Sequence, residues 1–421
     1  MQPLQPLAQV DPKLRKQPRI YCSDFSRFIF SCVFIWLCLV TTGSHLFAQE
    51  VENTTAPPAI TADQIRPHIE YLADKERQGR RGKGKHQAAD YIISQFQGMG
   101  LYPLFSGRWT QEVPARVSDE SSGSGEAAQV GYNLGGFIPG TDPELKKEWI
   151  IVNAHYDHLG IQWGEVFPGA DDNASGVSML IEVARKLKVA PLKRSVAFVA
   201  FDFEESFLWG SRWFMGHTPM ETDQIKFCVT ADMIGRSLGG LTLPTVFVIG
   251  AEHSQVARDA LSNAVVPVEL EIAQLGADMI GTRSDYGPFR DQQIPFLFFS
   301  TGEHPDYHTP GDTADKIEYD KAARICTLIR DLLIEIGNTK TTLAWEQPVY
   351  QKLEEAKAVH RVTQQLLDAE AEGTVALSSM QRFFVSQVKA KSGYMVRVGR
   401  VSDDERKWVS RTAQMLLIAV F

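Results

Sequence analysis

Apolar runs that recur between helical stretches constrain the fold of this chain more than any other feature. Strand candidates lie at 149–154, 196–203, 227–231, 245–249, 268–272 and 295–300, and helix candidates at 174–189, 209–217, 253–264 and 319–336. In the first of these helices Val177, Leu180, Ile181, Ala184 and Leu187 recur at helical spacing behind Asn173, a capping residue type. The run VAFVAF is apolar at every position, as suits a parallel strand covered on both faces; a strand with one wet face alternates. This alternation predicts an α/β fold: a three-layer α/β/α sandwich around a mixed, mostly parallel sheet, followed by a mainly helical C-terminal extension.

The flanks divide the rest of the chain. Lys13, Arg15, Lys16, Arg19 and Arg27 precede an apolar run at 28–40, which is short for a membrane span. Small and polar residues follow, so residues 1–48 read as a signal peptide or an uncleaved N-terminal anchor, and the protein as exported. Residues 49–60 read as a linker. Thr61 opens a helix through Ile65, Ile69 and Leu72. RQGRRGKGKHQ lacks the spacing of a phosphate loop and follows no strand, so it reads as a solvated loop. A helix is expected over 86–99, and 118–128 (SDESSGSGEAA) is low-complexity. The catalytic-type domain is expected over 61–340. Residues 341–421 show helical pattern at 351–372 and 404–421 around a mixed segment, either as a helical subdomain packed on the core or as an interaction arm.

Composition excludes some function classes. Forty-three basic and 51 acidic residues give a net charge of −8, which argues against a nucleic-acid binder. The five cysteines form no C-x-x-C pair, so a cysteine zinc site is excluded. Cys228 and Cys326 read as buried thiols.

The polar residues sit where chemistry would be placed. Ligands of open α/β sheets bind outside the carboxyl ends of the strands. The run WIIVNA leads into His155-Tyr156-Asp157-His158, SVAFVAFDF into Glu204-Glu205, KFCVTA into Asp232, and IPFLFFS into His304 and then Tyr307-His308. Gly169–Gly176 (GADDNASG) opens a helix between the first two. Imidazole with carboxylate and no thiolate suits zinc, with cobalt or manganese also compatible. Five such ligands, one shared, can hold two metals, and a further carboxylate can serve as general base.

HYDHLG, GADDNASGV, FDFEESFLWGS, ADMIG and YHTPGDTADKI, in this order, resemble the motifs of the co-catalytic di-zinc aminopeptidases, metallopeptidase family twenty-eight, over about residues 61–340. The resemblance implies that His155 and Asp232 bind one Zn2+, Glu205 and His308 a second, and Asp172 both. It implies Glu204 as general base, Asp157 as the group orienting His155, and Tyr307 as donor to the oxyanion. Asp171 is expected as a cap or supporting residue, Ser284-Asp285 as structural or substrate-lining, and Arg80 and Arg81 in packing. His158 reads equally as a supporting partner of the site or as a loop hydrogen bond, and Trp163 and Phe167 as a specificity wall or a core cover. The implied activity is a secreted zinc exopeptidase, an aminopeptidase acting on peptides. A glutamate-carboxypeptidase-type enzyme, for which Arg212, Arg236 or Arg283 could supply a basic pocket, a glutaminyl cyclase, and a non-catalytic receptor-like module are the alternatives on the same scaffold.

Overall fold

A computed structural model describes residues 57–115 and 130–419. The expected leader at 1–48, most of the linker and the low-complexity loop lie outside the described residues. Eleven strands are present among the described residues: β1 Tyr102–Pro103, β2 Thr110–Val113, β3 Gly131–Ile138, β4 Trp149–His155, β5 Gly160–Gln162, β6 Glu165–Phe167, β7 Ser195–Phe201, β8 Ile225–Ala231, β9 Thr245–Ile249, β10 Glu271–Leu275 and β11 Phe296–Ser300. The helices are α1 Ala62–Leu72, α2 Lys83–Gly98, α3 Gly176–Val189, α4 Trp209–Gly216, α5 Gln255–Asn263, α6 Ala277–Ile280, α7 Tyr286–Asp291, α8 Tyr319–Asn338, α9 Lys352–Ala371, α10 Ser379–Val398 and α11 Asp403–Ala419.

Nine strands form the main sheet, in the order β1-β3-β7-β4-β8-β11-β9-β10 with β2 on β3. The middle four, β7-β4-β8-β11, are mutually parallel. Antiparallel pairing enters at β3 on one side and between β11 and β9 on the other. The sheet is therefore mixed, with its parallel part at the centre.

The central strand runs carry apolar residues at successive positions because the sheet is buried on both faces. Side chains alternate across a strand, so Ile150 and Val152 of β4 join one core with α1, α2, α3, α5 and α8. Ile151 joins the opposite core with α4, α6, α7 and α9 to α11. Among the described residues no helix is long and apolar enough to cross a membrane.

Three local expectations differ from the structure. The strand expected at 268–272 lies at Glu271–Leu275, paired in parallel with β9, and Val268 is left exposed. β3 was not expected, because its GYNLGGFI has a weak strand composition; pairing to β7 on one side and to β1 and β2 on the other holds it. The mixed segment before 404 is a complete helix, α10, opened by a capping box between Ser378 and Gln381. It read as mixed because only a narrow stripe is buried, while Met380 and Phe383 face solvent. The C-terminal helices pack on the core: α9 lies against β10, α10 against α9, and α11 against α6 and α9.

Candidate metal centre

The four parallel strands at the middle of the sheet end on one rim, and each end delivers polar side chains there. His155 closes β4, Glu204 and Glu205 follow β7, Asp232 follows β8, and His304, Tyr307 and His308 lie in the loop after β11. The chain turns sharply at these ends: Phe203, Met233 and His308 take positive φ angles of 55°, 56° and 55°. Non-glycine residues hold that region only when surrounding contacts enforce it.

The fifth contribution comes from the loop before α3. Gly169 has φ +61°, and a Cβ there would lie 2.1 Å from the Asp172 carbonyl oxygen, so this turn requires glycine. The backbone N–H groups of Asp171 and Asp172 donate to the Asp312 carboxylate at 3.0 to 3.1 Å. Asn173 accepts from Gly176 N at 2.9 Å and donates to Ala231 O at 3.0 Å, but the N-cap position of α3 is Ser175 and not the expected Asn173, because the helix opens two residues later than the sequence pattern suggests. Asp171 accepts from Gly235 N at 2.6 Å, tying this loop to the one that carries Asp232.

The two carboxylate oxygens of Asp172 face different partners. Oδ1 lies 3.2 Å from His155 Nε2, which is also 3.4 Å from Asp232 Oδ1 and 4.0 Å from Glu204 Oε2. Oδ2 lies 3.1 Å from His308 Nε2, which is 3.3 Å from Glu205 Oε2. His155, Asp172 and Asp232 can offer one ligand atom each within 4.8 Å of one another, and so can His158, Asp172 and Glu205. The second triad holds His158 where the resemblance implies His308, while His308 itself lies within 3.3 Å of both Asp172 and Glu205, so two groups of ligand-type residues meet at Asp172.

His158 belongs to the second group more closely than a loop residue would. Its Nδ1 is 2.7 Å from Glu205 Oε1 and 3.8 Å from Asp172 Oδ2. Asp157 accepts from Glu204 N at 3.1 Å. Its backbone carbonyl lies 3.2 Å from His155 Nδ1, and its carboxylate 3.6 Å. Tyr307 stacks on His308 with ring centroids 3.8 Å apart.

Burial and like charge set the electrostatics. Burial pushes the Glu204 carboxyl well above the usual range, and Asp232, Asp285 and Glu205 reinforce it against the pull of His155. Burial also raises Asp232. Asp172 moves the other way: burial opposes its charge, but His158, His155 and His308 hold it well below the usual range. Burial raises the Tyr307 hydroxyl, and the surrounding carboxylates add to it, so the phenol stays protonated.

The residues fit a pair of divalent ions. Asp172, Glu204, Glu205 and Asp232 place four carboxylates in one largely buried space, a costly arrangement without positive charge. Asp232 Oδ1 is buried with no hydrogen-bond partner. The donors are imidazole and carboxylate without sulfur, the set that suits zinc.

One supporting residue corrects the sequence reading. The basic, Gly-rich segment is not a solvated loop, for Arg80 is fully buried and Lys85 nearly so. Arg80 donates to the carbonyls of Tyr156, Leu72, Pro168, Gly169 and Asp172 at 2.6 to 3.2 Å. Burial lowers its pKa, and Asp172 and Asp312 pull it back up. Lys85 pairs with buried Asp202 at 2.9 Å. Trp163 is exposed while Phe167 is buried, and neither lines the cavity beside the centre. Cys228 and Cys326 are buried free thiols.

Residues 133–333 match the model of peptidase family M28. This segment is a peptidase family M28 domain. The chain is 28% identical over 197 residues to aminopeptidase YwaD of Bacillus subtilis, covering 44% of this chain and 40% of that one. It therefore spans about two fifths of that relative's length. Among solved structures, the zinc aminopeptidase BSAP from Bacillus subtilis superposes with a TM-score of 0.52 at 18% identity, covering 69% of this chain and 99% of BSAP. Porphyromonas gingivalis glutaminyl cyclase does so with 0.52 at 18%, covering 66% and 99%. At these identities the structural likenesses concern the fold alone.

Proposed function

We propose that this chain is an exported zinc exopeptidase, an aminopeptidase that releases N-terminal residues from peptides. The observation that carries the reading is Asp172, whose two oxygens face two separate groups of ligand-type residues. His155 and Asp232 would hold one zinc ion, and Glu205 and His308 a second, with Asp172 common to both and His158 supporting Glu205. When bound, two such ions act as Lewis acids that polarise a carbonyl and lower the pKa of water.

The chain's own groups account for the proton and charge movements. Glu204, a carboxyl with raised proton affinity beside His155, takes a proton from the attacking water and returns it to the leaving amine. Tyr307, kept protonated among carboxylates, donates to the oxygen on which charge develops. Asp157 positions Glu204 and His155, accepting from the Glu204 backbone N–H and backing the His155 ring.

The cavity beside the centre favours an amine over a carboxylate. Asp172, Glu204, Asp232 and Glu303 line it, and its single lining guanidinium among the described residues, Arg283, lies 3.3 Å from Glu303. Arg236 is committed to Asp306 at 3.1 Å, and Arg212 donates to the Phe207 carbonyl. The cyclase and receptor-like alternatives call for altered or missing ligand residues, whereas all five expected residues stand at the rim. The test is release of chromophore from an aminoacyl p-nitroanilide by purified protein, with loss on chelation, return with zinc, and two equivalents of bound metal. Cleavage of N-blocked but not C-blocked peptides would overturn the assignment.

A further inference from the structure

The cavity that begins at Asp172, Glu204 and Asp232 continues past the segment that matches the family. One side is the sheet, with Phe247 and Ile249 of β9 and Phe298 of β11. The opposite wall is Ala358 and Val362 of α9 and Leu416 of α11, helices that lie beyond residue 333, where the match ends. All six are buried. Arg283 and Glu303 are half exposed and so stand at the mouth, leaving the interior apolar.

The cavity has a volume of about 270 Å³. Protein cores pack closely, with few voids larger than a water molecule, and an apolar void of about 150 Å³ takes up a benzene ring. A space of this size, apolar within and continuous with a charged rim, has the form of a ligand pocket. Its position beside Glu204 and Tyr307 places it to receive the side chain next to the carbonyl under attack.

We propose that α9 and α11 complete the substrate side-chain pocket, so that the C-terminal helices select a large apolar N-terminal residue such as Phe or Leu over Ala or a charged residue. This rests on the aminopeptidase reading for the identity of the occupant, but not for the existence of the pocket. The void is apolar where it meets the helices and acidic where it meets the rim, which matches a substrate residue with an apolar side chain and a free ammonium group. Charged side chains would meet no partner in the interior and would lose their hydration.

Two measurements on the full-length, zinc-loaded protein test this. The first is kcat/KM for the p-nitroanilides of Ala, Leu, Phe and Lys. It should be at least tenfold higher for Phe or Leu than for Ala or Lys, and Ala358→Trp, which fills the wall, should lower the Phe-to-Ala ratio at least tenfold. Val362→Trp is the second variant should the first fail to fold. The second is calorimetric binding of n-alkylamines from butyl to octyl. Affinity should rise roughly fourfold per methylene in the wild type and become flat in the Trp variant. A rising alkylamine series without arylamide cleavage upholds the pocket and removes the aminopeptidase reading. Cleavage with no size preference and a flat alkylamine series overturns the pocket and leaves that reading standing. An unchanged Phe-to-Ala ratio in both Trp variants also overturns it.

Discussion

Glu204 shows how a single residue acquires a role from its surroundings. Adjacent Glu205 is held down by His158 and His308 despite its burial, while Glu204 is pushed up by burial and neighbouring carboxylates. Two carboxylates in sequence thus separate into a metal-ligand type and a proton-acceptor type. Replacing Glu204 by Gln keeps the volume and removes the base. We expect kcat to fall by about 10² to 10⁴ while bound zinc, measured by atomic emission, stays near the wild-type level. Parallel loss of metal would show Glu204 to be a ligand instead. Both glutamates were legible in the sequence because an apolar strand ends immediately before them. The packing role of Arg80 was legible too, but its grip on the Asp172 carbonyl, the role of Asp312 and the contact of His158 with Glu205 were not, for each acts on residues far away in the chain.

At the level of elements, the junction between the C-terminal helices and the rest of the fold is an ion cluster. Arg406 of α11 makes paired hydrogen bonds to Glu355 of α9 at 2.8 and 2.9 Å and to Asp278 of α6 at 2.6 and 2.8 Å, and it lies over the Tyr350 ring. Glu355 is almost wholly buried, and burial raises its pKa against the pull of Arg406. Arg406→Ala strands this carboxylate, so urea unfolding should show a loss of about 3–5 kcal/mol, with Glu355→Gln in the same chain recovering part of it. A second element effect concerns Lys321 on α8, which donates to Arg236 O at 2.8 Å and Ser237 Oγ at 2.5 Å. Burial lowers its pKa from 10.5 to about 8, with Glu318 pulling it back up. Between those values the unfolded chain binds the extra proton, so this lysine makes stability rise with pH from about 8 towards 10, and its penalty is fully present below 8. Unfolding curves at pH 7.5 and 9.5 should show a smaller rise in Lys321→Met than in the wild type.

Across the whole molecule, the sheet gathers four carboxylates from sequence-distant loops onto one rim, and their mutual repulsion opposes folding. Zinc bound only by the folded state would offset this, by about 2.7 kcal/mol at a free concentration of 100 times Kd. Chelation should therefore lower the melting temperature in calorimetry, and zinc should restore it. An unchanged melting temperature with demonstrated metal loss would mean that the charge is balanced in another way.

Local pattern by itself determined the four central parallel strands, most of the long helices and the polar residues at the strand ends, but it missed β3 and α10. Periodicity reports which faces are buried, and apolar strands that end in His, Asp or Glu mark a rim. The tertiary structure alone decided three things: which oxygen of Asp172 faces which group, which carbonyls the Arg80 guanidinium holds, and that the C-terminal helices close an apolar cavity. The reason is physical. Helix and strand patterns depend on neighbours within a few residues. The orientation of a carboxylate, the satisfaction of a buried guanidinium and the wall of a cavity depend on groups brought together only when the layers pack.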